Sequence, residues 1–147
     1  MNELEEAAWF IAENAHLNQM YGDNDPYINH VKRVFERVSQ ASFNREINRV
    51  ARLVAILHDV VEDSDVSFEE IAEVFGDRVK NAVWFMTRNK EKETYFEYIS
   101  RLKNNDVAIL VKTCDLIENL KHSYLDLKKH SDKVERYEKA LAILSVK

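Results

Sequence analysis

The run His58-Asp59-Val60-Val61-Glu62-Asp63-Ser64-Asp65 sets one imidazole beside four carboxylates at the end of an apolar stretch. Acids spaced three and four residues apart on a helix repel one another. They also lie near the negative end of the helix dipole, which favours cations. Gathering them there costs free energy unless something positive compensates, and a divalent cation does so. The alternative is a solvated acidic turn. A His-Asp pair abutting a helical stripe that contains Ala51 and Val54 argues against it.

A second group lies on a segment from Asp106 to Ser123. At about 100° per residue, Ala108, Val111, Asp115, Asn119 and His122 fall near one line of a helix. Most of the remaining surface is apolar (Ile109, Leu110, Cys114, Leu116, Ile117, Leu120), and a helix apolar nearly all round is normally buried. Asp115 and Asn119 should therefore point into the interior or a cleft. A buried carboxylate must be paired, protonated or bound to metal. Lys112, three residues earlier, is a possible partner and leaves that choice open. His30, after Asp25-Pro26-Tyr27-Ile28-Asn29, reads by itself as either a capping group or a ligand.

Together the segments offer two imidazoles and two carboxylates: His30, His58, Asp59 and Asp115. Mixed nitrogen and oxygen donors suit a first-row divalent ion better than calcium. Such an ion acidifies water and polarises a phosphoryl oxygen.

The elements that must position these groups are helical. Apolar residues recur at helical spacing over 3–19, from Ile28 to Val38, and from about Asn44 to about Val61. Further helices are expected after the capping box Ser67-Phe68-Glu69-Glu70 up to Gly76, then over 77–87, 94–103, 106–123 and 131–146. Gly22-Asp23-Asn24-Asp25-Pro26 breaks the chain between the first two. Val134, Tyr137, Leu141 and Leu144 form a heptad-like stripe that core packing explains better than a dimer seam. The expectation is a single all-α domain over 1–147, a bundle of seven or eight helices.

Composition agrees. Two glycines and one proline are too few for a turn-rich β fold. A single cysteine, Cys114, excludes an intrachain disulfide and fits a reducing compartment. The longest aliphatic runs, Leu53–Leu57 and Val107–Val111, fall far short of the ~20 residues a membrane span needs. The N-terminus lacks the basic region of a signal peptide, so a cytoplasmic protein is expected. Net charge is −5, with 21 basic and 26 acidic residues, which disfavours general nucleic-acid binding but not a small anionic substrate.

The order His … His-Asp … Asp resembles that of the HD phosphohydrolase superfamily. It is most similar to the hydrolase domain of the bacterial RelA/SpoT alarmone enzymes and their small stand-alone relatives. The resemblance rests on Ala15-His16 with Gln19, on Pro26-Tyr27-Ile28 with His30, and on Leu57-His58-Asp59-Val60-Val61-Glu62-Asp63. Phe75-Gly76, Thr87-Arg88, and Val111-Lys112 with Asp115 and Asn119 extend it over roughly residues 15–120. It implies an HD-domain fold and one metal, typically manganese, on His30, His58, Asp59 and Asp115. It assigns Glu62 and Asp63 to the attacking water and Asn119 to the nucleotide's sugar. Since the sequence ends at Lys147 without a synthetase domain, the expectation is an enzyme that only degrades.

Several positions depart from the family. The basic pair it places around guanine after Gln19 is replaced by Met20-Tyr21-Gly22, where Tyr21 can stack on a base instead. Val31 follows His30 in place of proline. Thr87-Arg88 replaces threonine-lysine within a basic run (Arg78, Lys80, Arg88, Lys90, Lys92) that reads as a phosphate-holding patch or as solvated surface. Tyr21, Asn119, Arg88 and Lys112 are thus the substrate-binding candidates. Cleavage of a 3′-pyrophosphate from a guanosine alarmone, with weakened base selectivity, is the leading reading. A nucleotidase acting on monophosphates, a hydrolase of another pyrophosphorylated nucleotide and a non-catalytic nucleotide-binding HD module are the competitors, and bound metal separates the last.

Overall fold

The computed structural model describes residues 2–41 and 44–146, and among these it contains helices and no strand. In chain order they are α1 Glu3–Ala15, α2 Tyr27–Ala41, α3 Arg45–Leu57, the single turn α4 Val60–Asp63 and α5 Phe68–Phe75. There follow α6 Asp77–Phe85, α7 Tyr95–Leu102, α8 Asp106–Tyr124 and α9 Leu127–Ser145. Eight helices of two turns or more plus the α4 turn match the expected bundle.

Local chemistry starts the helices where the sequence signals them. Asn2, Asn44 and Asn105 cap α1, α3 and α8 by accepting from the backbone N–H groups of Glu5, Ile47 and Ala108. Ser67 with Glu70 and Thr94 with Glu97 form reciprocal capping boxes. Gly76, at φ 91°, ends α5 and turns the chain directly into α6.

Two helices carry the core. In α3, Leu53 to Leu57 are buried on every side, as are Val107, Ala108, Val111, Cys114, Asp115 and Leu116 of α8. α2 packs against both, α1 and α6 pack on α3, and α9 covers α8. Glu5 of α1, itself buried, accepts two hydrogen bonds from the Arg52 guanidinium of α3 at 3.1 and 3.0 Å. On α9, Val134 and Leu144 are buried and Tyr137 and Leu141 half-buried, so the heptad-like stripe is core-facing. No helix among the described residues is long and apolar enough to cross a membrane.

Three boundaries differ most from the sequence expectation. α1 ends at Ala15 rather than residue 19, with His16 as its C-cap. α3 ends at Leu57 rather than Val61, because the His58 ring takes the Ala55 carbonyl at 2.7 Å, an oxygen that a continuing helix would give to the Asp59 N–H. α9 begins at Leu127, and a kink at His130 (φ −120°, ψ 19°) separates its first turn from the expected stretch. Between α1 and α2 the chain doubles back, with Tyr21 N–H donating to Asp25 O at 2.7 Å and Tyr27 N–H to Gln19 O at 2.8 Å. Gly22 sits in this loop at φ 72°, and a Cβ there would lie 2.9 Å from His122 Cε1.

Candidate metal centre and active site

Three helices aim one ligand set at one point. His30 comes from the first turns of α2, His58 from the end of α3 and Asp115 from the middle of α8. One ligand atom of each lies within 4.8 Å of the others, and all three residues are buried. Asp115 Oδ1 is 2.8 Å from His30 Nε2 and 3.6 Å from His58 Nε2. Asp59 Oδ2 stands 3.1 Å from His58 Nε2. Three of the four expected ligands, His30, His58 and Asp115, thus come together, and Asp59 adjoins them through His58 from the turn before α4.

The donor set fits a divalent cation. His58 Nδ1 is committed to the Ala55 carbonyl, which leaves Nε2 as the ligating nitrogen. That Nε2 is buried and, among the described residues, lacks an aligned hydrogen-bond partner, although two carboxylates lie beside it. A cation between these groups satisfies all of them at once. Without one, burial opposes a charge on His58, but the Asp59 and Asp115 carboxylates outweigh it and hold the imidazole's pKa well above its ordinary value.

Asp115 has the Lys112 partner that the sequence left open: Nζ donates to Oδ2 at 3.0 Å. Burial would push the Asp115 carboxyl up, but Lys112, His30 and His58 together hold it well below the usual carboxylate range. Lys112 thus keeps Asp115 ionised while Oδ1 faces the histidines. Tyr27, for which the sequence suggested no role, donates its hydroxyl to Asp59 Oδ2. Its position one turn before His30 was the available signal.

Glu62 and Asp63 lie on α4, at the edge of a cleft of about 730 Å³ that also receives Phe68, Trp84, Arg88 and Lys90. Glu62 Oε1 accepts from the Arg88 backbone N–H at 3.1 Å. Burial first, and then the Asp59 charge, raise the pKa of both Glu62 and Asp63 above ordinary carboxylate values. The Arg88 guanidinium points toward the Glu93 carbonyl, 3.4 and 3.3 Å from Nε and Nη2. The basic run divides: Arg88, Lys90 and Lys92 line the cleft, while Arg78 pairs with Glu46 at 3.3 Å elsewhere.

Tyr21 and Asn119 meet beside His30. The Tyr21 hydroxyl donates to Asn119 Oδ1 at 2.6 Å. The Tyr21 ring stacks on His30 with centroids 4.4 Å apart and planes 23° off parallel, and also contacts His122 at 4.4 Å. In this arrangement Tyr21 buttresses a candidate ligand, and a base stacking on it would compete with those rings.

No family model matches the sequence. Among curated proteins, the chain is 34% identical over 124 residues to guanosine-3′,5′-bis(diphosphate) 3′-pyrophosphohydrolase MESH1 of Danio rerio, covering 80% of this chain and 67% of that one. The Drosophila melanogaster MESH1 is 35% identical over 101 residues, covering 65% and 55%. An Aquifex aeolicus protein named guanosine-3′,5′-bis(diphosphate) 3′-pyrophosphohydrolase is 30% identical over 121 residues. This chain spans only 17% of its length, about a sixth. A solved structure, described as a metazoan ortholog of SpoT that hydrolyzes ppGpp and plays a role in starvation responses, matches with a TM-score of 0.83 at 26% identity. That match covers 99% of this chain and 87% of the other. The all-helical arrangement is thus the HD-type fold, and the chain belongs to the MESH1-type family of guanosine-3′,5′-bis(diphosphate) 3′-pyrophosphohydrolases.

Proposed function

We propose that the chain, acting as one HD domain, removes the 3′-pyrophosphate of guanosine 3′,5′-bis(diphosphate) with the help of one divalent ion, manganese. The observation that carries this reading is the convergence of His30, His58 and Asp115, with Asp59, behind an acidic pair at the edge of a cleft that Arg88, Lys90 and Lys92 line together with Glu91 and Glu93. The names of the relatives supply the substrate class. When bound, the ion supplies acidification of a water and polarisation of a phosphoryl oxygen.

The chain's own residues do the rest. Arg88 and Lys90 offer positive charge to the phosphates in the cleft, which an otherwise acidic protein needs there. Glu62 and Asp63 accept the proton of the attacking water, and their raised pKa makes each a better proton acceptor than an ordinary carboxylate. Water oxygen bonds to the phosphorus on ribose O3′, the P–O3′ bond breaks, and a proton restores the 3′-hydroxyl as pyrophosphate leaves.

The test compares kcat/KM for guanosine and adenosine 3′-pyrophosphates and for nucleoside monophosphates, with the released product identified. Pyrophosphate from the 3′-pyrophosphates, with the two bases handled within about thirtyfold, supports the reading; that bound is the loss of one cation–π contact of ~0.5–2 kcal/mol. Phosphate released from monophosphates, with no pyrophosphate, replaces it with a nucleotidase.

A further inference from the structure

His16 lies at the end of α1, its side chain fully buried, and belongs to none of the groups assigned above. Its Nδ1 is 2.8 Å from Gln19 Oε1 and 3.6 Å from Asp63 Oδ2. Gln19 also acts on the Asp63 carboxylate, lowering its pKa against the effect of burial. The opposite nitrogen, Nε2, is buried without a hydrogen-bond partner among the described residues. The ring packs on Tyr27 with centroids 4.8 Å apart, and Tyr27 holds Asp59.

This is a costly way to fill space. A buried imidazole with one nitrogen unsatisfied loses hydration that an apolar ring would never have had. What the imidazole gives in return is a directed N–H. With Nδ1 donating to Gln19 Oε1, the amide cannot flip, and its N–H group is left facing Asp63. Asp63 is 30% exposed at the cleft, where an unheld carboxylate would sample several rotamers.

We propose that His16 is a positioning residue for Asp63, acting through Gln19 to fix the carboxylate toward the attacking water. It does not touch substrate, and it deepens the proposed function by giving Asp63 a defined orientation. The geometry also predicts which substitutes work. Asparagine carries an N–H donor close to where the imidazole carries Nδ1–H; phenylalanine fills the volume and keeps the Tyr27 contact but donates nothing.

Accordingly, His16→Phe lowers kcat roughly tenfold to a hundredfold, with KM and the Mn²⁺-induced rise in melting temperature unchanged, and His16→Asn recovers most of the loss. In an Asp63→Asn background, His16→Phe changes kcat by less than about twofold, because the group it acts on is gone. Gln19→Leu, at a half-buried site, gives the same loss and the same non-additivity should His16→Phe fail to fold. The Gln19 side-chain amide protons, followed by NMR in protein without substrate, resolve as a slowly exchanging pair in wild type and His16→Asn but not in His16→Phe. An unchanged kcat, or an equal drop in the Asp63→Asn background, overturns the proposal. Should wild type release no pyrophosphate, the proposed function fails; the amide signals then decide the His16–Gln19 link alone, and a fast-exchanging amide in wild type rejects it.

Discussion

His58 shows how one side chain can be oriented to receive a cation. The Ala55 carbonyl fixes its Nδ1, and two carboxylates face its Nε2. Because those carboxylates raise the imidazole's pKa against the effect of burial, an incoming cation must displace a proton. The sign follows: below the raised pKa the proton competes with the ion, so Mn²⁺ affinity rises with pH. Calorimetry in two buffers of different ionisation heat should record about one proton released per ion near pH 7; heats that do not depend on the buffer contradict this. Asp115→Asn weakens the charge shared by both histidines. It should abolish the Mn²⁺-dependent gain in melting temperature that wild type shows by mass action. Glu62→Gln, by contrast, should cut turnover roughly 10²-fold or more while metal content stays near one equivalent. A Glu62→Gln protein without metal would make Glu62 a ligand instead.

At the scale of elements, α3 and α8 are rigid because they are buried, and their rigidity is what holds His58 and Asp115 within reach of each other. Leu57 is wholly buried and immediately precedes His58. Leu57→Ala should therefore cost about 2–5 kcal/mol of stability, measured by urea unfolding; a loss under about 1 kcal/mol would mean that the site rests on something other than this packing. The helices themselves were legible because apolar spacing and caps agree, as at Ser67-Glu70 and Thr94-Glu97. The end of α3 was not, since it depends on a side chain taking a backbone carbonyl, which periodicity does not record. The four candidate ligands were proposed from residue type and from the order the resemblance implies, and the structure brings His30, His58 and Asp115 of them together. The buttressing of His30 by Tyr21, and the Tyr27–Asp59 bond, depend on loop 19–27 folding back toward α8. Only tertiary structure fixes such contacts across 98 residues, as between Tyr21 and Asn119.

For the whole molecule, the balance of charge separates two tasks. The chain carries a net −5, yet Arg88, Lys90 and Lys92 gather at one cleft beside the acidic pair. In the proposed reading these cations meet the phosphates of a small polyanion, in a cleft that Glu91 and Glu93 also line. The acidic pair stands at the junction of the buried ligand cluster and this cleft, so the account requires both the ion and the 3′-pyrophosphate for turnover. The most direct measurement strips the protein with a chelator, adds guanosine 3′,5′-bis(diphosphate), and follows products by phosphorus NMR before and after Mn²⁺ is restored. The account predicts no turnover in the stripped protein and, once Mn²⁺ is back, one pyrophosphate for each nucleotide consumed. Turnover that survives stripping, or orthophosphate as the product, would contradict it.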